Sequence, residues 1–193
     1  MLPTIFYLIG PPAVGKYTIG KELAALTGAR LIDNHSIANV IFQVLDQDGI
    51  KPLPKGVWKR VGVVRRAVLD TLIHLSPKYL SFIFTNYLRG DDEVEAAIFE
   101  EMVALAEIRG SRFVPVVLSC RTEEVVRRVG QPSRRERMKL LDPVQAASMN
   151  EGPPFGTSHP NLLRLDVTEI APEESALRIV AWAGRFQRDV SLD

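Results

Sequence analysis

Nothing constrains the fold of this chain more than Gly10-Pro11-Pro12-Ala13-Val14-Gly15-Lys16-Tyr17-Thr18, set between the apolar run Ile5 to Ile9 and the helix-forming run Ile19 to Leu26. The two glycines let the backbone curl so that successive N–H groups point inward, and the helix that follows adds partial positive charge at its N-terminus. An apolar strand feeding a glycine loop that opens a helix reads as a phosphate-binding loop, in which Lys16 reaches the outer phosphates and the backbone of residues 10–18 cradles them. A bland Gly/Pro turn is the alternative, and it leaves both flanks unexplained.

One position breaks the pattern. The residue after the lysine ordinarily carries a hydroxyl that ligates Mg²⁺, and here it is Tyr17, with Thr18 one step later. Because a helix turns about 100° per residue, Thr18 does not face as its neighbour does. Nucleotide binding is expected; magnesium ligation must come from Thr18 or from water held by a carboxylate elsewhere.

Continuous apolar runs followed by helical spacing recur along the chain. Leu31-Ile32 is a short second strand ending in Asp33, and Asn34 or Ser36 begins a helix reaching about Leu45. Asp46 to Gly56 reads as loop, and Val57 to Leu75 as one long amphipathic helix. The third strand is expected over Leu80–Phe84, followed by polar Thr85 to Gly90, with Asp91 and Asp92 opening the next helix. Phe113 to Ser119 is the fourth strand, with Pro115 expected near its start. Thr122 caps a helix running into the arginine-rich Arg127 to Lys139, and little periodicity survives from Leu140 to Asn161. Leu162 to Val167 is the fifth strand, and Pro172 opens a last helix ending near Phe186. Five strands alternating with helices imply a parallel sheet covered on both faces, with ligands outside the carboxyl ends of its strands. The length suits a single domain over 1–193.

Totals narrow the function classes. A net charge of +1 gives no global reason to expect nucleic acid or a membrane surface as a partner. The single Cys120 excludes an intrachain disulfide framework and a multi-cysteine metal site, as suits a cytoplasmic protein. The apolar run at the N-terminus is too short to span a bilayer.

Several side chains are candidates for chemistry at that crevice. Asp33, rigidly held at a strand end, is a base or a carboxylate that organises metal-bound water, and its competing role is to cap the following helix. His35 is a candidate substrate contact, with surface or packing roles as the alternative. Arg127, Arg128, Arg134, Arg135, Arg137 and Lys139 form the strongest charge feature. Such a run is usually a solvated face, but arginines on a mobile element also close over a transferring phosphoryl group, and Gly130 and Pro132 suggest a hinge. Arg89, beyond the third strand, is placed to bind an anionic acceptor; for Arg65 and Arg66 a solvated helix face is at least as good a reading.

Taken together, Gly10 to Thr18, the strand ending in Asp33, Arg89, the arginine-rich segment and Leu163-Arg164-Leu165-Asp166-Val167-Thr168 resemble the nucleoside monophosphate kinase and shikimate kinase group of P-loop phosphotransferases. The Asp33 position also resembles the base of chloramphenicol phosphotransferase-like enzymes. The resemblance implies an α/β, three-layer P-loop fold with a five-stranded parallel sheet in the order 2-3-1-4-5. It implies an acceptor-binding segment at about 34–78, an arginine lid at about 127–150, and ATP as donor, with adenine near Thr168; GTP stays open. By that resemblance the catalytic set is Lys16, Asp33, Arg128 and Arg134, with Arg127 on the nucleotide, Asp33, His35 and Arg89 on the acceptor, and Mg²⁺ at Thr18 or, through water, at Asp33. The expected activity is ATP-dependent phosphorylation of a small metabolite. A nucleotide-binding regulator and an NTP hydrolase are the alternatives. The sequence does not set the oligomeric state. It also lacks the second acid of the shikimate kinase D-x-D pattern and the Asp-Gly-Phe-Pro-Arg signature of adenylate kinases.

Overall fold

A computed structural model describes residues 2–90 and 92–186. The first strand, β1 (Thr4–Ile9), is buried along its whole length, and it lies at the centre of a five-stranded sheet. On one side it pairs with β3 (Phe82–Asn86), which pairs in turn with β2 (Arg30–Ile32); on the other it pairs with β4 (Arg112–Ser119), which pairs with β5 (Leu163–Asp166). Every pairing is parallel, and the order is 2-3-1-4-5.

Alternation of side chains along β1 divides the core in two. Phe6 and Leu8 face α1 (Lys16–Thr27) and α8 (Pro172–Gly184), where Ile19, Leu23, Ala176 and Ile179 close the layer. Ile5, Tyr7 and Ile9 face α3 (Val57–His74) and α4 (Glu93–Arg109), meeting Leu69, Leu72, Phe99 and Met102. A smaller cluster joins α2 (Asn34–Phe42) to α3 through Ile37, Phe42, Val57 and Val61.

Local chemistry sets the boundaries. Gly28 and Gly110 end α1 and α4 in the left-handed conformation, and Asp92 caps α4 by accepting from the Val94 and Glu95 amides. Asp91, expected to share that helix start, lies outside the described residues. The third strand begins two residues later than its apolar run suggests, at Phe82.

Pro115 is a correction, because it is interior to β4 and not near its start. Pro115 shares its backbone parity with Phe113, whose carbonyl accepts from Asn161 Nδ2, so its missing N–H points to the β5 side. Pairing with β5 starts only at Val116, and no ladder bond is lost.

The segment after β4 also differs from expectation. Arg121, not Thr122, occupies the N-cap of α5 (Thr122–Val129), while Thr122 Oγ1 accepts from Asn150 Nδ2 at 3.0 Å. The one-turn α6 (Pro132–Arg135) follows, and then α7 (Pro143–Glu151), a helix that weak periodicity conceals. Its start carries a local signal: Asp142 accepts from the Val144 and Gln145 amides, and Pro143 sits in the first turn.

Candidate functional site

Sheet register assembles the crevice. Ile32 of β2 is level with Phe84 of β3, so the next residues, Asp33 and Thr85, emerge side by side at the carboxyl edge. Thr85 Oγ1 donates to Asp33 Oδ1 at 2.6 Å and accepts from the Asn34 amide at 2.9 Å. Asp33 stands at the N-cap position of α2, yet its side chain makes no cap hydrogen bond. Its carboxylate is turned into the crevice, only 3% exposed.

Beside it, β1 ends at Ile9 and the chain enters the glycine loop. Gly10 admits no side chain, because a Cβ would lie 2.7 Å from the Leu118 carbonyl oxygen of the adjacent strand. Gly15 takes φ 113°, and Ala13 adopts φ 64° without being glycine, a local strain of the kind found where backbone wraps a ligand. The amides of Lys16, Tyr17 and Thr18 head α1, where helix geometry gives them no intrahelical acceptor. Lys16 Nζ folds back onto the loop, donating to the Gly10 carbonyl at 2.5 Å and the Pro11 carbonyl at 2.7 Å. Burial, reinforced by the positive charges of Lys139 and Arg134, pushes its ammonium down to about 7, although Asp33 opposes the shift.

A third element roofs the crevice. Between α6 and α7 the chain turns sharply, with the Arg137 and Lys139 amides bonded to the Arg134 carbonyl and Met138 at φ 48°. Arg134 closes the turn by donating through Nε and Nη2 to the Leu140 carbonyl. The turn is anchored outside itself as well. The Leu141 amide donates to the Gly49 carbonyl at 2.8 Å, and Asn39 Nδ2 donates to the Arg137 carbonyl at 3.1 Å. Lys139 Nζ lies 3.3 Å from Asp33 Oδ2, an ion pair without hydrogen-bond alignment. Burial alone would raise the Asp33 carboxyl, but Lys139 and the Thr85 hydrogen bond outweigh it and hold the acid below its usual value.

The expected site residues thus fall into two groups. Lys16, Asp33, Arg134 and the loop backbone converge on one crevice. Arg128 sits behind the loop, where Nη1 donates to the Val14 carbonyl at 2.9 Å, Nη2 to the Val167 carbonyl at 3.1 Å, and Nε to Glu124 at 2.6 Å. Arg127 pairs with the same Glu124 at the surface. Thr168 Oγ1 accepts from the Arg121 amide, at the end of the loop that follows β5. Thr18 is exposed on the first turn of α1. Arg89 is half exposed and paired with Asp92 and Glu95. His35 packs edge-on to Phe42, and its buried Nδ1 has no hydrogen-bond partner; burial and the Lys139 charge push it down to about 4, so it is neutral.

Sequence reasoning missed the specific roles of Thr85 and Lys139. Thr85 belongs to a polar stretch that ends an apolar strand, which is the signal that points to it. Lys139 had none beyond its place in a basic run.

No family model matches the chain, and no curated protein matches it either. Solved structures do. A protein from Chloroflexus aurantiacus, provisionally named a kinase, superposes with a TM-score of 0.65 at 21% identity, over 94% of this chain and 98% of its own. A gluconokinase from Sinorhizobium meliloti gives 0.59 at 15% identity, over 98% and 96%. Shikimate kinase from Aquifex aeolicus gives 0.53 at 14% identity, over 95% and 98%. With the sheet order and the glycine loop already in hand, these likenesses show that the chain has the fold of the P-loop small-molecule kinases.

Proposed function

We propose that this protein is a kinase that transfers the γ-phosphoryl group of ATP to a hydroxyl of a small metabolite. The observation that carries the reading is Asp33, a buried carboxylate kept ionised by Thr85 and Lys139 at the strand edge beside the phosphate loop. A carboxylate in that state accepts the proton of an acceptor hydroxyl as its oxygen bonds to the γ-phosphorus and the bond to the β-phosphate oxygen breaks, releasing ADP.

The residues present fit a nucleotide polyphosphate. Lys16, Arg134, Arg137 and Lys139 gather around the loop, and the first α1 amides supply neutral donors. Lys16 leaves the Gly10 and Pro11 carbonyls to meet the phosphates, and the turn over the crevice excludes water from the transfer. The fit to Mg²⁺ rests on Asp33 Oδ2, a buried oxygen with no hydrogen bond, which would hold the ion through water. Bound there, Mg²⁺ neutralises charge on the β- and γ-phosphates. No group of three or more His, Cys, Asp or Glu side chains gathers among the described residues, so the phosphates themselves would complete the ion's shell.

Incubation with ATP, Mg²⁺ and a panel of small hydroxylated metabolites, including gluconate, shikimate and simple sugars, tests the proposal by mass spectrometry. A phosphorylated acceptor whose formation requires Lys16 and Asp33 supports it. A panel without product, combined with tight ATP binding, favours a second reading, a nucleotide-binding regulator. The observation behind that alternative is Tyr17 in the place of the magnesium-binding hydroxyl.

A further inference from the structure

Tyr17 lies beneath the turn that roofs the crevice. The Arg137 guanidinium carbon is 3.6 Å from the centroid of the Tyr17 ring, and Arg137 Nη2 also donates to the phenolic oxygen. Lys139 Nζ is 4.7 Å from the same centroid while it reaches 3.3 Å from Asp33. One ring therefore carries both cations, which come from residues more than a hundred positions away in the chain. The backbone is built for this arrangement. Met138, between them, is held in the left-handed region with its side chain packed against the α2–α3 cluster.

A serine or threonine at position 17 has no face on which to stack two cations, and the small hydroxyl would leave them unsupported. We infer that Tyr17 is a positioning residue: its ring sets Arg137 and Lys139 over the phosphate site, so that polyphosphate charge is met by protein cations where related loops use a hydroxyl-held metal. The inference rests on reading the crevice as a phosphate site and is independent of which acceptor, if any, is phosphorylated. It makes Tyr17 a functional exchange of one source of positive charge for another.

Three variants of the full chain test it, Tyr17→Phe, Tyr17→Ser and Tyr17→Leu, with two readouts. Hydrogen exchange followed by mass spectrometry reports the amides of residues 137–141, with the β4 amides as an internal control for global stability. Titration calorimetry reports ATP affinity in EDTA. In Tyr17→Ser the turn is expected to exchange about tenfold faster with β4 unchanged, and metal-free ATP affinity to fall about tenfold, the equivalent of one lost cation–π contact. Tyr17→Phe keeps the ring and is expected to stay within about threefold of wild type in both. Tyr17→Leu, which retains bulk without a π face, is expected to behave as Tyr17→Ser and replaces it should the serine variant not fold. Wild-type exchange or wild-type affinity in the serine and leucine variants overturns the inference, as does a phenylalanine variant that behaves like them. If the wild type binds no ATP with or without Mg²⁺, the phosphate-site reading fails, and exchange at 137–141 alone decides whether Tyr17 holds the turn.

Discussion

Thr85 Oγ1 hydrogen-bonds Asp33 Oδ1 at 2.6 Å, and the same hydroxyl takes the Asn34 amide, so one side chain sets the carboxylate and starts the helix behind it. Thr85→Val keeps the shape and removes both functions. Because the carboxylate is buried, the lost charge-assisted bond is expected to lower stability by about 1.5–3 kcal/mol, read as a shift of the urea midpoint. The Asp33 acid is held below its usual value, so its contribution to stability is present above the unfolded carboxyl range and is lost as pH falls. In Thr85→Val that loss is expected to begin at higher pH, and denaturation followed from pH 6 down to pH 3 checks it.

Lys16 gives a pH signature of opposite sense. Its ammonium is held near 7 in the folded chain, below the ordinary lysine value, so the unfolded chain binds more protons between those limits. Stability is therefore expected to rise with pH from about 7 towards 10.5, other groups apart, and the Lys16→Met variant is expected to lose that component of the slope. Phosphate in the site restores the charged form. ATP binding at pH 8 is expected to take up a proton in the wild type and not in Lys16→Met, measured by calorimetry in two buffers of different ionisation enthalpy.

Arg128 binds backbone on both sides of the phosphate loop, and Arg128→Ala leaves the Val14 and Val167 carbonyls without their donor. Stability and ATP affinity are expected to fall together, stability by about 1–3 kcal/mol. Arg128→Lys is expected not to rescue either, since a single ammonium cannot replace a planar fork that donates in three directions. Thermal unfolding and calorimetry on both variants provide the check.

Gly49 supports the roof of the crevice from the far side. It sits at φ 86°, and a Cβ there would approach the Lys139 carbonyl oxygen to 2.5 Å. Gly49→Ala is expected to push the 137–141 turn away from the loop, costing about 1–3 kcal/mol in backbone strain and raising the exchange rate of the Leu141 amide. Hydrogen exchange resolves the change residue by residue.

The sheet was legible because each buried strand is a continuous apolar run followed by a glycine or a polar residue, and Asp33 was legible as the first polar residue after such a run. Thr85 was visible only as part of a polar strand end; its partnership with Asp33 depends on parallel register, which one strand's composition does not encode. The helix α7 escaped because its buried face is little more than Ala146, too little to mark a period. Tyr17 read as a defect, since its partners Arg137 and Lys139 come from a distant turn whose geometry depends on Met138. Local rules fail there because the interaction is tertiary, and the site residues they missed are those fixed by contacts across the chain.

The end of β3 is clasped by the connection leading into β5. Gly90 donates its amide to the Pro153 carbonyl, a Cβ on it would meet the Pro154 oxygen at 2.4 Å, and Tyr87 reaches the Met149 carbonyl from the same segment. By length, the stretch between Gly152 and Leu162 looks like a place where a peptide tag or an added module would be accepted. The clasp confines that tolerance to its later part: extra residues at 153–154 would be transmitted straight to the strand end that carries Thr85, whereas residues added near Gly156, where the backbone is open on every side, would not.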